Sequence, residues 1–199
     1  MKPQLLETIC CQDGQLHGLP FHQERVARSA RALGFSNYPD LQSVQVPASA
    51  SIGRQKCRVL YREQIEAVAF TPYTIRPVHQ LALVEADHID YACKYANRGA
   101  LDEAFAQRGT ADDILLVRKG YLTDTYYANI ALWDGERWLT PASPLLKGTR
   151  RARLMANGSL HPAQLHVRDL YQFEQIALFN AMMDLGEGPI IPVLHSTIR

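Results

Sequence analysis

Twice in this chain an Asp-Gly step stands between β-prone runs, in "LLETICCQDGQLHGLPF" at 5–21 and in "NIALWDGERWLTP" at 129–141. Asp-Gly tolerates the backbone angles that tight hairpins demand, so each pair of runs is expected to lie antiparallel and adjacent. An all-helical fold is excluded. "QKCRVLYR" and "IEAVAFTPY" read as a second strand pair, and "VHQLALVEA", "DILLV", "FEQIALFNAMM" and "PIIPVL" as further strands. Helices are expected in "HQERVARSARALG", with Gly34 as its stop, and from near Thr149 to Asn157, with Gly158 as its stop. A third should open in the segment around Lys94 and run towards Gln107. The only linker-like stretch is "PASASIG", 47–53. The pattern predicts a mixed α/β (α+β) chain, with a small α/β lobe over 1–75 and a larger, mostly β lobe with flanking helices over 76–199.

Lys and Arg number 21 against 20 Asp and Glu, a formal charge of +1. This leaves no electrostatic footprint for nucleic acid or an anionic membrane. "MKPQLLETICCQDG" has no run fit for a signal peptide, and no later stretch approaches a membrane span. Cys10, Cys11, Cys57 and Cys93 make no CxxC pair and no zinc-spaced cluster, so no metal site is expected. Reduced thiols fit a soluble, cytoplasmic protein. Arginine outnumbers lysine 16 to 5, which suits recognition of carboxylate or phosphate.

One lysine stands among aromatic and polar neighbours: Lys94, in "IDYACKYANR" at 89–98. Taken alone, the stretch reads as an amphipathic helix start with a solvated lysine. Two later segments change that reading. "GYLTDTYYANIALWDGERWLTP" places Asp124 thirty positions beyond Lys94, and "LLKGTRRARL" opens a helix on a Gly-Thr step. With the opening "LLETI…DG…H…R", including a step from His22 to Arg25, these segments resemble the class-IV aminotransferase family, the pyridoxal-phosphate enzymes of fold type IV. "KYANR" is similar to that family's K-x-x-N-R form, seen in its lyase members. "GYLTDTYYANI" resembles its G-x-v-T-E-x-x-x-x-N-i signature, and "LKGTRR" its phosphate turn. The resemblance spans residues 7–151 and points to the short bacterial branch.

The resemblance implies pyridoxal 5′-phosphate as cofactor, a homodimer, and amino acid or keto acid substrates. Such a cofactor needs an amine to hold it as a Schiff base and to move a proton, and Lys94 matches that position. Lys119 and Lys147 keep the solvated reading. Arg25 matches the phosphate arginine, and Thr149 and Arg150 would offer N–H groups at a helix start. Ala181 aligns where other members carry Thr or Ser, and Arg150 where others carry Thr; its side chain either compensates or is solvated. Asp124 matches the family's glutamate at the ring nitrogen, while a residue of its type after "LT" equally caps a turn. Arg98, one helical turn past Lys94, would touch the cofactor's phenolic oxygen or a neighbouring subunit. Arg76, in "YTIRP" at the junction of the lobes, takes either a substrate carboxylate or a surface ion pair.

Amino-group transfer from a small amino acid to a keto acid is the first functional expectation. A 4-amino-4-deoxychorismate lyase, releasing pyruvate and 4-aminobenzoate, is the alternative towards which "KYANR" leans. A non-catalytic cofactor binder is a third, suggested by Asp124 and Ala181.

Overall fold

In the computed structural model, which describes residues 2–199, the first Asp-Gly step forms the expected hairpin. Asp13 and Gly14 both take positive φ, 48° and 79°, and join β1 (Leu5–Gln12) to β2 (Gln15–Leu16). Helix α1 (Leu19–Ala32) follows, with Pro20 in its first turn, where a missing N–H costs nothing. β3 (Arg54–Tyr61) and β4 (Ile65–Pro72) complete an antiparallel sheet of order β2-β1-β3-β4. Leu5, Ile9, Val26, Cys57, Val59 and Tyr61 form its core with α1. All four cysteines are buried, and none of them forms a disulfide.

The chain divides into two compact units, and the boundary is not a single point. Residues 2–74 and 93–97 form the first unit; 75–92 and 98–199 form the second. Lys94, expected in the larger lobe, therefore folds with the first. The expected helix at Lys94 is also corrected. The Leu6 N–H donates to the Lys94 carbonyl (2.9 Å), the Ala96 N–H donates to the Gln4 carbonyl (2.9 Å) and Tyr95 bridges Leu5. Residues 93–97 thus add a short extended piece to the edge of β1. Pairing with a strand some ninety residues upstream is invisible to local periodicity.

The second unit begins with β5 (Leu81–Glu85), and α2 (Gly99–Ala106) follows the excursion to the first unit. β6 (Asp113–Arg118), β7 (Tyr121–Thr125), β8 (Asn129–Trp133) and β9 (Trp138–Pro141) come next. After them stand α3 (Thr149–Ala156), β10 (His161–Ala163), β11 (Gln175–Phe179) and β12 (Ile190–Pro192). The sheet runs β10-β9-β8-β7-β6-β5, with β11 also pairing with β8 and β12 with β11. β5–β6 and β9–β10 are parallel; the other pairs are antiparallel. Leu115, Leu122, Ile130, Leu132, Ile176 and Leu178 are fully or almost fully buried in its core. The second Asp-Gly step lies in a four-residue turn closed by Trp133 opposite Trp138. The expected buried strand "PIIPVL" is shorter and one-sided: Ile191 is buried, while Ile190 is exposed.

Candidate active site

β1 has an alternation that should have excluded a carboxylate. Leu5, Glu7 and Ile9 share one face, and both apolar neighbours are fully buried in the core. Glu7 is fully buried as well. A buried charge survives only when paired and hydrogen-bonded, and α1 supplies the partners. Arg25 donates from Nε to Glu7 Oε1 (2.8 Å) and from Nη2 to Oε2 (2.5 Å), and His22 Nδ1 meets the same Oε2 at 2.5 Å. Their spacing of three places His22 and Arg25 on the stripe of α1 that also buries Val26 and Ser29. Burial pushes the Glu7 carboxyl up, but the Arg25 charge and the hydrogen bonds from His22 and Arg25 more than reverse this, to about 2. His22 is pulled below its ordinary value, first by burial and further by the charges of Arg25 and Lys94, against the pull of Glu7. It is therefore neutral at pH 7, with Nδ1–H donating to Glu7.

Lys94 belongs to this same unit. Its neighbours Cys93 and Tyr95 pack into the first unit's core, and its carbonyl is held by Leu6. The side chain of a half-buried lysine thus starts from a fixed backbone, with its charge near His22. Lys119 and Lys147 are exposed.

In the second unit, the motif spacing from Asp124 to Asn129 turns out to be a hairpin. The two residues are cross-strand partners on β7 and β8, and the turn between them closes with the Thr125 N–H donating to the Ala128 carbonyl (2.9 Å). Asp124 therefore lies in a strand and does not cap a turn. Its Oδ1 accepts from Asn129 Nδ2 (2.8 Å) and its Oδ2 from the Leu146 N–H (2.7 Å). Asn129 Nδ2 also donates to the Leu146 carbonyl (2.9 Å). Two residues on, Gly148 is the N-cap of α3 and contributes no side-chain cap. The opening N–H groups of a helix lack intrahelical partners and favour an anion.

Arg150 holds Asp184 and does not point to an exposed position. Its Nη1 donates to Asp184 Oδ2 (2.5 Å), which also accepts from Arg153 (2.7 Å), and its Nη2 donates to the Ala181 carbonyl (3.2 Å). The side chain thus secures the segment after β11. Arg98 is the N-cap of α2, so it shares no helix face with Lys94. Its guanidinium covers the Tyr126 ring at 4.4 Å and donates to the Tyr126 carbonyl (2.6 Å). Arg76 is exposed and lies over the Tyr127 ring at 5.5 Å.

Each unit carries groups whose chemistry suits a phosphorylated aldehyde with a basic ring nitrogen. The first unit holds an amine on a fixed backbone and an arginine oriented by a buried carboxylate; the second holds a helix start whose N-cap is a glycine and an acid whose two oxygens are aimed by neighbours. Glu7, His22, Asn129 and Asp184 were not assigned roles from the sequence. Two of them left a signal there: Glu7 interrupts an apolar strand face, and Asn129 keeps a fixed spacing from Asp124.

The amino-transferase class IV family model matches residues 4–188. A Haemophilus influenzae protein called "Uncharacterized protein" is 30% identical over 91% of this chain and 98% of its own length. A Schizosaccharomyces pombe protein called "Putative aminodeoxychorismate lyase" is 30% identical over 94% of this chain and 89% of its own. The crystal structure of "a putative 4-amino-4-deoxychorismate lyase" from Haemophilus somnus superposes with a TM-score of 0.85 at 29% identity, covering 94% of this chain and 98% of that one. With this match over nearly its whole length and the fold-type IV architecture, the chain belongs to the class IV amino-transferase family and is a pyridoxal-phosphate-dependent enzyme.

Proposed function

We propose that this enzyme acts on a small amino-bearing carboxylic acid and that its reaction is the release of pyruvate and 4-aminobenzoate from 4-amino-4-deoxychorismate. The observation that carries the catalytic reading is Lys94, whose backbone is pinned to β1 in the unit that holds the Glu7–His22–Arg25 cluster. The lyase reading is supported by two relatives near 30% identity named for that activity and by the "KYANR" form. Transamination, first in order from the sequence, becomes the competing outcome of the test.

Lys94 would hold the cofactor through its amine and would take the proton from the carbon that bears the substrate's nitrogen. Pyridoxal phosphate, when bound, would supply an electron-withdrawing ring to stabilise the charge left at that carbon. Asp124, its oxygens fixed by Asn129 and Leu146, would pair with the ring nitrogen. Arg25 and the N–H groups of Thr149 and Arg150 would hold the phosphate. Because Glu7 neutralises Arg25, that contact works through oriented donors more than through net charge. Arg98 stands by the cofactor, and Arg76 takes the substrate carboxylate. In the lyase reaction the ether carbon–oxygen bond breaks as the ring becomes aromatic, and the leaving enolpyruvate takes up a proton to give pyruvate. A cytoplasmic homodimer is part of the same proposal.

Incubation with 4-amino-4-deoxychorismate should yield pyruvate and 4-aminobenzoate in equal amounts, and Lys94→Ala should yield neither. Turnover of an amino acid with a keto acid, without pyruvate release from this substrate, would replace the lyase with an aminotransferase. Borohydride reduction and peptide mapping should label Lys94 alone; label on Lys119 or Lys147 would reject the site.

A further inference from the structure

Gly148 has an ordinary extended backbone, φ −67° and ψ 148°, which any residue adopts without strain. Its requirement for glycine comes from a neighbour. A Cβ built there would fall 1.9 Å from Asn129 Oδ1 and 3.1 Å from its Cγ. The other side of the same carboxamide donates to Asp124 Oδ1 and to the Leu146 carbonyl. Both of those atoms are pure acceptors, which fixes the amide orientation. Asn129 is itself buried.

One side chain is thus wedged between the carboxylate of β7 and the turn that opens α3. We propose that Asn129 is a positioning residue that sets the acid for the ring nitrogen and the backbone cradle for the phosphate at the same time, an inference that rests on the roles proposed above for Asp124 and α3. Leu146 closes the frame, since its N–H holds Asp124 Oδ2 while its carbonyl is held by Asn129. The distance from acid to helix start is then fixed by three hydrogen bonds and one close approach, all within a single unit. Arg151, on the first turn of α3, is buried and feels the Asp124 charge, which ties the same two elements electrostatically. A cofactor that carries its ring nitrogen and its phosphate on one small molecule is held in a single pose only if both contacts keep a fixed span.

The test is a double-mutant cycle on apo protein titrated with pyridoxal phosphate and followed by visible absorbance, with the apo thermal midpoint as a fold control. Gly148→Ala should weaken binding at least tenfold, and Asn129→Ala should do so to a similar degree. In the Asn129→Ala background, Gly148→Ala should cost almost nothing further, because the clash has gone. Equal cost of Gly148→Ala in both backgrounds would overturn the proposal. The second readout is the pH profile of the bound cofactor's visible band. Asn129→Asp keeps the shape but sets two carboxylates face to face, and should add a titration to that profile. If Asp124→Ala shifts the profile while both Asn129 variants leave it and the affinity as in wild type, the inference fails and the Asp124 role stands. If Asp124→Ala leaves the profile unchanged, the reading of Asp124 itself fails.

Discussion

Glu7→Gln isolates the energetics of the buried cluster on β1 and α1. The carboxyl moves from 4.5 to about 2 on folding, and at 1.36 kcal/mol per pH unit this makes the ionised group worth about 3 kcal/mol at pH 7. That agrees with the roughly 3–5 kcal/mol seen when one member of a buried ion pair is removed. Because the folded value is depressed, this stability is complete above pH 4.5 and is lost as pH falls towards 2. The gap between wild type and variant should therefore be about 3 kcal/mol at pH 7 and roughly half that at pH 3. His22 contributes in a separate window. Its folded value lies below 6.5, so the neutral form is native and its contribution is complete above pH 6.5 and falls below it. Wild-type stability should thus begin to decline under pH 6.5, before Glu7 takes up a proton. Urea unfolding of both apo proteins between pH 3 and 7.5 measures this. A gap under about 1 kcal/mol at pH 7, or one that stays constant down to pH 3, would refute the assignment of the stabilisation to an ionised Glu7.

Arg25→Ala should weaken cofactor binding tenfold or more, by about 2 kcal/mol. Arg150→Ala should have a smaller effect, because the backbone supplies its contact and the side chain serves Asp184; titration with cofactor separates them. Asp113 is fully buried with no partner for Oδ2 among the described residues, and burial raises its carboxyl to about 6. Its folded value is raised, so stability falls as pH climbs from 3.8 through 6, and Asp113→Asn should gain about 3 kcal/mol at pH 8 and little at pH 4 by urea unfolding. Asp184→Ala removes the shared acceptor of Arg150 and Arg153. Being partly exposed, the pair should contribute about 1 kcal/mol or less, and 1 M salt should narrow the difference in thermal midpoint.

How much of this was legible in sequence depended on whether the determining contacts were local. The hairpin at Asp13-Gly14, the stop of α1 before Gly34 and the start of α3 at Thr149 are set by backbone preferences within a few residues, and the sequence reading located them. Asp124 and Lys94 stood at motif positions that drew attention to them. The extended form of residues 93–97 depends on β1, far upstream, so apolar spacing read as a helix there was misleading. The Glu7 cluster required knowing that residues 7 and 25 face each other. The Asp184 pairing required the return of the chain after β11 towards α3.

Asp124 shows how a departure from a family pattern can be accommodated by its surroundings. With one methylene fewer than glutamate, its carboxylate stays close to β7, within reach of the carboxamide directly opposite on β8. A glutamate there would carry its oxygens about 1.5 Å farther out, beyond the point where Asn129 and the Leu146 N–H now hold them. The shorter acid has less freedom to rotate and fewer rotamers to lose, so it exchanges reach for orientation. In the proposed role at the ring nitrogen orientation matters, because a carboxylate there stabilises developing charge only if it needs no rearrangement as that charge appears. The same argument explains why Gly148 and Asn129 belong to one arrangement. A side chain at 148 would displace the carboxamide, and the carboxylate of Asp124 would lose the partner that aims it.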